Sequence, residues 1–213
     1  MNKLNPIDWS AVLARLPLIA ILRGVQPEQV CGVGDALQRA GFLCVEVPLN
    51  SPRALSSIKL LRDRFPGGLL VGAGTVLTVA ELQSVADAGA QFMVAPNVDR
   101  DVLRAARDRG LVAVPGFFTA SEAFAALAAG ANGLKLFPAE AATPAVVKAL
   151  RAVLPREIPI FPVGGISPQS LRPYLEAGAT GFGIGSALYR VDATPDEVYA
   201  RASAFVAAWN TAH

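Results

Sequence analysis

Lys135 stands alone in an apolar run, Leu134-Lys135-Leu136-Phe137-Pro138. Residues 133–137 have the length and composition of a strand, where an ammonium is costly unless something uses it. A second strand-like run, Leu43-Cys44-Val45-Glu46-Val47-Pro48-Leu49, carries the matching anomaly in Glu46. An amine and a carboxylate placed this way suit a nucleophile that condenses with a carbonyl as a Schiff base, with a general acid/base beside it. The same residues also suit a buried ion pair that only ties two strands together. The single histidine is His213, the last residue. That removes Ser-His and Cys-His nucleophile systems and leaves zinc without its usual ligand, so a zinc-dependent mechanism is not expected. Any chemistry falls to Lys, Glu, Asp, Arg, Tyr or a bound cofactor, which strengthens the case for Lys135.

These residues need a frame to position them. The 213 residues are enough to bury a sizeable core and read as one domain, 1–213. Hydrophobic residues make up 53% and charged ones 17%, which suits strands buried on both faces. A net charge of +2 with no basic block argues against a nucleic-acid partner. Residues 16–22 form an apolar run too short to span a membrane, and the N-terminus lacks a signal-peptide layout. Cys31 and Cys44 both sit in apolar segments, so a reduced, cytoplasmic setting is expected.

A short amphipathic helix is predicted over residues 6–15. One unit then recurs eight times: an apolar run, a polar turn, and a segment with apolar residues at spacings of three and four. The predicted strands are 18–23, 43–47, 69–72, 92–95, 111–114, 133–137, 160–163 and 181–185. Helix starts are marked by Pro27, Ser51-Pro52, Thr78, Asp99, Thr119, Thr143-Pro144, Ser167-Pro168 and Thr194-Pro195. Gly41, Gly89, Gly130 and Gly178 stand where helices need a left-handed stop. Eight strand–helix units without a linker predict an α/β fold, a (β/α)8 TIM barrel, although a compact one. An open doubly wound sheet is the alternative.

In such a barrel, functional groups come from the carboxyl ends of the strands. Glu46 and Lys135 lie there on strands two and six, with Arg23 ending strand one and Gly72-Ala73-Gly74-Thr75 following strand three. The loops after strands seven and eight, where a barrel holds phosphate, read Val163-Gly164-Gly165-Ile166-Ser167 and Gly183-Ile184-Gly185-Ser186. Glycine lets backbone N–H groups approach phosphate oxygens, and Ser186 adds a hydroxyl near an expected helix start, although glycines also mark ordinary turns. Arg23 offers a cationic fork for a carboxylate or phosphate, or else pairs with a neighbouring acid. Thr75 offers a hydroxyl to substrate, or else caps a helix. Phe137, two residues beyond Lys135, faces the same mouth unless it is core.

At these residues the chain resembles the class I aldolases that cleave 2-keto-3-deoxy-6-phospho sugar acids. The matching segments are Glu46-Val47-Pro48-Leu49, Gly72-Ala73-Gly74-Thr75-Val76, Lys135-Leu136-Phe137-Pro138-Ala139-Glu140, Gly164-Gly165-Ile166 and Gly185-Ser186. They follow the family order across residues 17–190. The resemblance implies that Lys135 is the Schiff-base lysine and Glu46 the acid/base. It places Arg23 and Thr75 at the substrate and Gly165, Gly185 and Ser186 at its phosphate. It also implies a homotrimer, no metal or cofactor, and pyruvate plus glyceraldehyde 3-phosphate as products. Asn50 and Val163 depart from the phosphogluconate branch, which has arginine and threonine there, and look like the phosphogalactonate branch. The two substrates differ in configuration at C4, so with Val163 at one wall a preference for the galactonate substrate is expected, the gluconate epimer being the alternative. Two other classes stay open: a sugar-phosphate isomerase using the Lys–Glu pair without a covalent step, and a non-catalytic phosphate-ligand sensor.

Overall fold

The computed structural model of the chain describes residues 8–212. The leader helix is α1 (Trp9–Arg15), and Asp8 caps it by accepting the Ala11 N–H at 2.8 Å. The first two residues of its predicted span, 6 and 7, lie outside the described residues. Trp9 packs its ring against Phe161 and Phe92, with centroids 5.5 and 6.3 Å away. These large apolar rings close the amino end of the strands.

The strands are β1 (Leu18–Ile21), β2 (Cys44–Pro48), β3 (Leu70–Gly74), β4 (Phe92–Val94), β5 (Val112–Val114), β6 (Gly116–Phe117), β7 (Leu134–Leu136), β8 (Ile160–Pro162) and β9 (Phe182–Ile184). Between them run α2 (Pro27–Ala40), α3 (Ala54–Arg64), α4 (Val79–Asp87), α5 (Arg100–Asp108), α6 (Ala120–Ala128), α7 (Pro144–Arg151) and α8 (Leu171–Glu176), and α9 (Pro195–Ala212) follows β9. Every named strand pairing is parallel, as intervening helices require. One sheet has the order β5-β4-β3-β2-β1-β9 and the other β6-β7-β8. The result is an α/β fold of curled parallel sheets. No described helix is long and apolar enough to cross a membrane.

The predicted fifth strand ends at Val114, but strand structure resumes at Gly116 to pair with β7. Pro115 has no N–H and interrupts the ladder, yet its carbonyl accepts the Lys135 N–H at 2.9 Å. Other limits shift as well. β1 stops at Ile21, so Arg23 lies in the turn beyond it, whereas β3 runs on to Gly74. α3 begins at Ala54 with Arg53 as its cap residue, so Ser51 does not cap it. No helix starts at Ser186 either. Leu188 and Tyr189 both donate to the Gly185 carbonyl, closing a single turn, and α9 waits until Pro195.

Much of the local code performs as its chemistry predicts. Thr78 with Glu81 and Thr119 with Glu122 form reciprocal capping boxes. Glu197 and Thr194 exchange the same bonds before α9. Gly41, Gly89, Gly130 and Gly178 all take positive φ where a helix stops.

Candidate active site

Along each strand successive side chains alternate faces, and the inward set meets at one small cavity. Ile19, Ile21, Glu46, Val94, Val114, Lys135, Phe161, Val163 and Gly183 line it, and its volume is about 10 Å³. Leu134 and Leu136, on either side of Lys135, are fully buried on the other face. The period of two therefore delivers Lys135 and Glu46 into one apolar interior. Lys135 is 6% exposed and Glu46 2%.

At these exposures the two charges would gain from a close pair, yet no direct ion pair joins them within 4.0 Å. Glu46 Oε2 is buried without a hydrogen-bond partner. The strand-tying ion pair is therefore not what is built. Burial pushes the Lys135 ammonium below the ordinary lysine range; the charge of Glu46 opposes that shift and Arg23 adds to it. Burial likewise raises the Glu46 carboxyl above its ordinary value, against the opposing pull of Lys135 and Arg23. In both groups desolvation outweighs the mutual attraction. Both shifts run in the direction that chemistry on a carbonyl uses, towards an amine that loses its proton more easily and a carboxyl that holds its own more tightly.

The surrounding residues hold this geometry. The Glu46 carboxylate lies over Gly74, where a Cβ would collide with it. The second glycine of Gly72-Ala73-Gly74 is thus explained by the acid it accommodates. The Lys135 Nζ sits 4.8 Å from the centre of the Phe137 ring, so Phe137 does face the same mouth. Thr75 does not cap a helix, since Thr78 does. It instead adopts φ +58 immediately after Gly74, a conformation that a β-branched side chain rarely takes. Arg23 is exposed, and among the described residues no acid lies within ion-pair distance of it. It lies in the turn that follows β1, at the carboxyl end of that strand.

Val163 is buried, joins β8 to β9 through a single parallel bridge to Gly183, and lines the cavity. A Cβ at Gly183 would stand 2.7 Å from Val163 Cγ2, so the small residue is required by its neighbour. Beyond it, Gly164 and Gly165 have φ of +113 and +64. Among the described residues the N–H groups of Gly164, Gly165, Gly185 and Ser186 bond to no backbone carbonyl. An added Cβ at Gly185 would meet nothing within 4 Å, so packing does not explain that glycine. Four N–H groups on the loops after β8 and β9, one with open space over its Cα, are therefore left without a backbone acceptor.

Two features of these loops escape a linear reading. Glu140 packs its side chain over the Gly164–Gly165 turn, so that a Cβ at either position would run into it. Tyr174 braces the same segment, its hydroxyl lying 2.8 Å from the Ala142 carbonyl and 3.1 Å from that of Ala139. Glu140 follows Lys135 by five residues, but nothing in its local sequence says which loop it will touch.

The family model for KDPG and KHG aldolase matches residues 10–204. The chain belongs to the KDPG and KHG aldolase family. A "Probable 2-dehydro-3-deoxy-6-phosphogalactonate aldolase" from Rhizobium meliloti (strain 1021) is 47% identical over 197 residues, covering 92% of this chain and 93% of the relative. A solved structure described as "Native KDPGal structure" superposes with a TM-score of 0.92 at 44% identity, covering 93% of this chain and 96% of its own. A KDPG aldolase from Legionella pneumophila, captured with pyruvate as a covalent carbinolamine intermediate, gives a TM-score of 0.80 at 29% identity, covering 94% and 98%. The solved structures thus share this aldolase architecture over nearly the full length of the chain. Within it, Lys135, Glu46 and Val163 line one cavity, Phe137 lies beside the Lys135 amine, and Thr75 follows Gly74 beneath the Glu46 carboxylate.

Proposed function

We propose that this aldolase cleaves 2-dehydro-3-deoxy-6-phospho-D-galactonate to pyruvate and D-glyceraldehyde 3-phosphate, through a Schiff base on Lys135 and without metal or cofactor. The observation that carries this reading is the buried Lys135 amine sharing a cavity with Glu46 while making no ion pair. The frame we infer is a single-domain (β/α)8 barrel. Two links between the sheets support closure: the chain crossing Pro115 from β5 to β6, and the Val163–Gly183 bridge. In a closed ring β2 and β7 stand opposite one another, with β3, β4 and β5–β6 on one side and β1, β9 and β8 on the other.

In this scheme the neutral Lys135 amine adds to the C2 ketone. Glu46 supplies a proton as water leaves, and the protonated imine forms. The imine is the electron sink for cleavage. Glu46, now ionised, takes the proton of the C4 hydroxyl as the C3–C4 bond breaks. The aldehyde leaves with its phosphate, and the bond's electrons remain as an enamine. Protonation of the enamine carbon by Glu46 and hydrolysis of the imine return pyruvate and the free amine. Arg23 and Thr75 hold the anionic and hydroxyl groups of the keto acid. Gly164, Gly165, Gly185 and Ser186 hold the phosphate through their N–H groups. The captured carbinolamine in the Legionella pneumophila relative supports the covalent step.

Epimer choice follows from the same geometry. The two candidate substrates differ at C4, the carbon whose hydroxyl must reach Glu46. Val163 offers that region only methyl groups. A coupled assay of pyruvate release should show a higher kcat/KM for the galactonate epimer than for the gluconate one. Val163→Thr should shift that ratio towards the gluconate epimer by about 1 kcal/mol, one hydrogen bond's worth. An unchanged ratio would move the discrimination to Asn50, and release from neither epimer would sink the assignment.

The homotrimer implied by resemblance is part of this proposal. Leu77, Phe118 and Phe124 are 41, 42 and 47% exposed and supply apolar surface for contacts between copies. Sedimentation of the purified protein should give three copies per particle, and a monomer would refute it.

A further inference from the structure

Ser51 has the sequence position of a helix cap, preceding Pro52 ahead of α3, yet its hydroxyl is used elsewhere. It reaches across to the turn after β1, accepting the Gly24 N–H at 2.9 Å and donating to the Leu22 carbonyl at a longer 3.4 Å. Those two residues flank Arg23. Ser51 is 7% exposed, and its own N–H is tied to the Pro48 carbonyl at 2.9 Å, which holds it at the end of β2. The turn it grips is otherwise lightly built. Val25 N–H donates to the Leu22 carbonyl at 3.3 Å, and Gly24 bends the chain with φ +81. A Cβ at Gly24 would stand 2.8 Å from Val191 Cγ2, so no other residue could make that bend without moving Val191. On the inner side, Leu22 N–H donates to the Glu46 carbonyl at 3.0 Å.

One hydroxyl therefore joins the backbone on both sides of Arg23 to the loop that carries Asn50. We infer that Ser51 is a positioning residue: it fixes the origin of the Arg23 side chain relative to Glu46 and Asn50, so that the guanidinium meets the anionic end of the substrate. This rests on the reading of Arg23 as a substrate-binding cation. An arginine has a long, flexible stem, and among the described residues no acid pairs with this one. The backbone from which it springs then sets how much freedom the substrate must quench on binding. A hydroxyl that serves only to staple two loops would stabilise the fold without regard to Arg23.

A double-mutant cycle separates the two roles. Ser51→Ala should raise the KM for the phosphorylated keto acid roughly fivefold to tenfold, the effect of about one hydrogen bond, with kcat changed by less than about twofold. In an Arg23→Ala background the same substitution should change KM by less than about twofold, because the group it positions is gone. Equal effects of Ser51→Ala with and without Arg23 would overturn the inference, as would a lowered Tm with KM unchanged. If Ser51→Ala does not fold, Ser51→Cys, which keeps the size but only a weak donor and acceptor, carries the same cycle with a smaller effect in the same direction. The parent enzyme guards the underlying reading. Pyruvate release and borohydride trapping there test the aldolase chemistry itself, whereas normal parental turnover with an additive cycle removes only the role of Ser51.

Discussion

Replacing Lys135 with Met should abolish cleavage of both C4 epimers, lowering kcat/KM by roughly 10⁴- to 10⁶-fold as for other removed nucleophiles. Methionine nearly matches the length of lysine, so the interior keeps its filling and no large cavity opens. The folded protein should survive, because the native state loses a buried ammonium that burial already disfavours. Borohydride added to the parent enzyme with pyruvate should reduce the imine to a stable amine, and peptide mass spectrometry should find the adduct on Lys135. A chelator in the same reaction should leave the yield unchanged. Trapping should accelerate as pH rises towards the lowered pKa of Lys135, since only the neutral amine attacks. An adduct on another lysine would sink the assignment, and no adduct at all would favour the isomerase or sensor readings.

Glu46→Gln should separate binding from proton transfer. Glutamine keeps the shape of the side chain that lies over Gly74 but can neither give nor take the C4 hydroxyl proton. Turnover should fall by roughly 10²–10⁴-fold, the usual worth of a general acid/base, while pyruvate is still trapped on Lys135 at a measurable rate. The sign of the stability effect is also determined. The native carboxyl has a raised pKa, so the folded state binds the proton more tightly than the unfolded chain. Its contribution to stability therefore declines as pH rises from the ordinary carboxylate value through the raised one. The glutamine variant lacks that decline, so its Tm should equal or exceed the parent's on the alkaline side of the window. A variant that is less stable there yet retains parental turnover would make Glu46 a structural residue only.

The parts of this molecule legible in sequence are those governed by near neighbours. The alternation of apolar runs with helical spacings, the Thr-x-x-Glu caps before α4, α6 and α9, and the glycines at positive φ each follow from local chain chemistry. Lys135 and Glu46 were visible for the same reason: a charge inside a strand-length apolar run incurs a desolvation cost whatever the strand later meets. Local reasoning failed where a side chain found a distant partner. Ser51 reads as a cap, but its hydroxyl serves a turn 27 residues earlier. Ser186 is a different case, without a distant partner: it reads as lying near a helix start, but the Leu188 and Tyr189 N–H groups both bond the Gly185 carbonyl and close one turn only.

The sequence by itself determined the order of strands and helices, the family, and the two buried charged side chains on which the proposed chemistry rests, because composition and period are carried by consecutive residues. Only the tertiary structure decided that Lys135 and Glu46 line one cavity without pairing, that Thr75 adopts φ +58 rather than capping a helix, and that Glu140 lies over Gly164. A strand's own residues say which side chains share a face. Which strands then face each other depends on sheet order and register, and these are set only when the parallel sheets assemble.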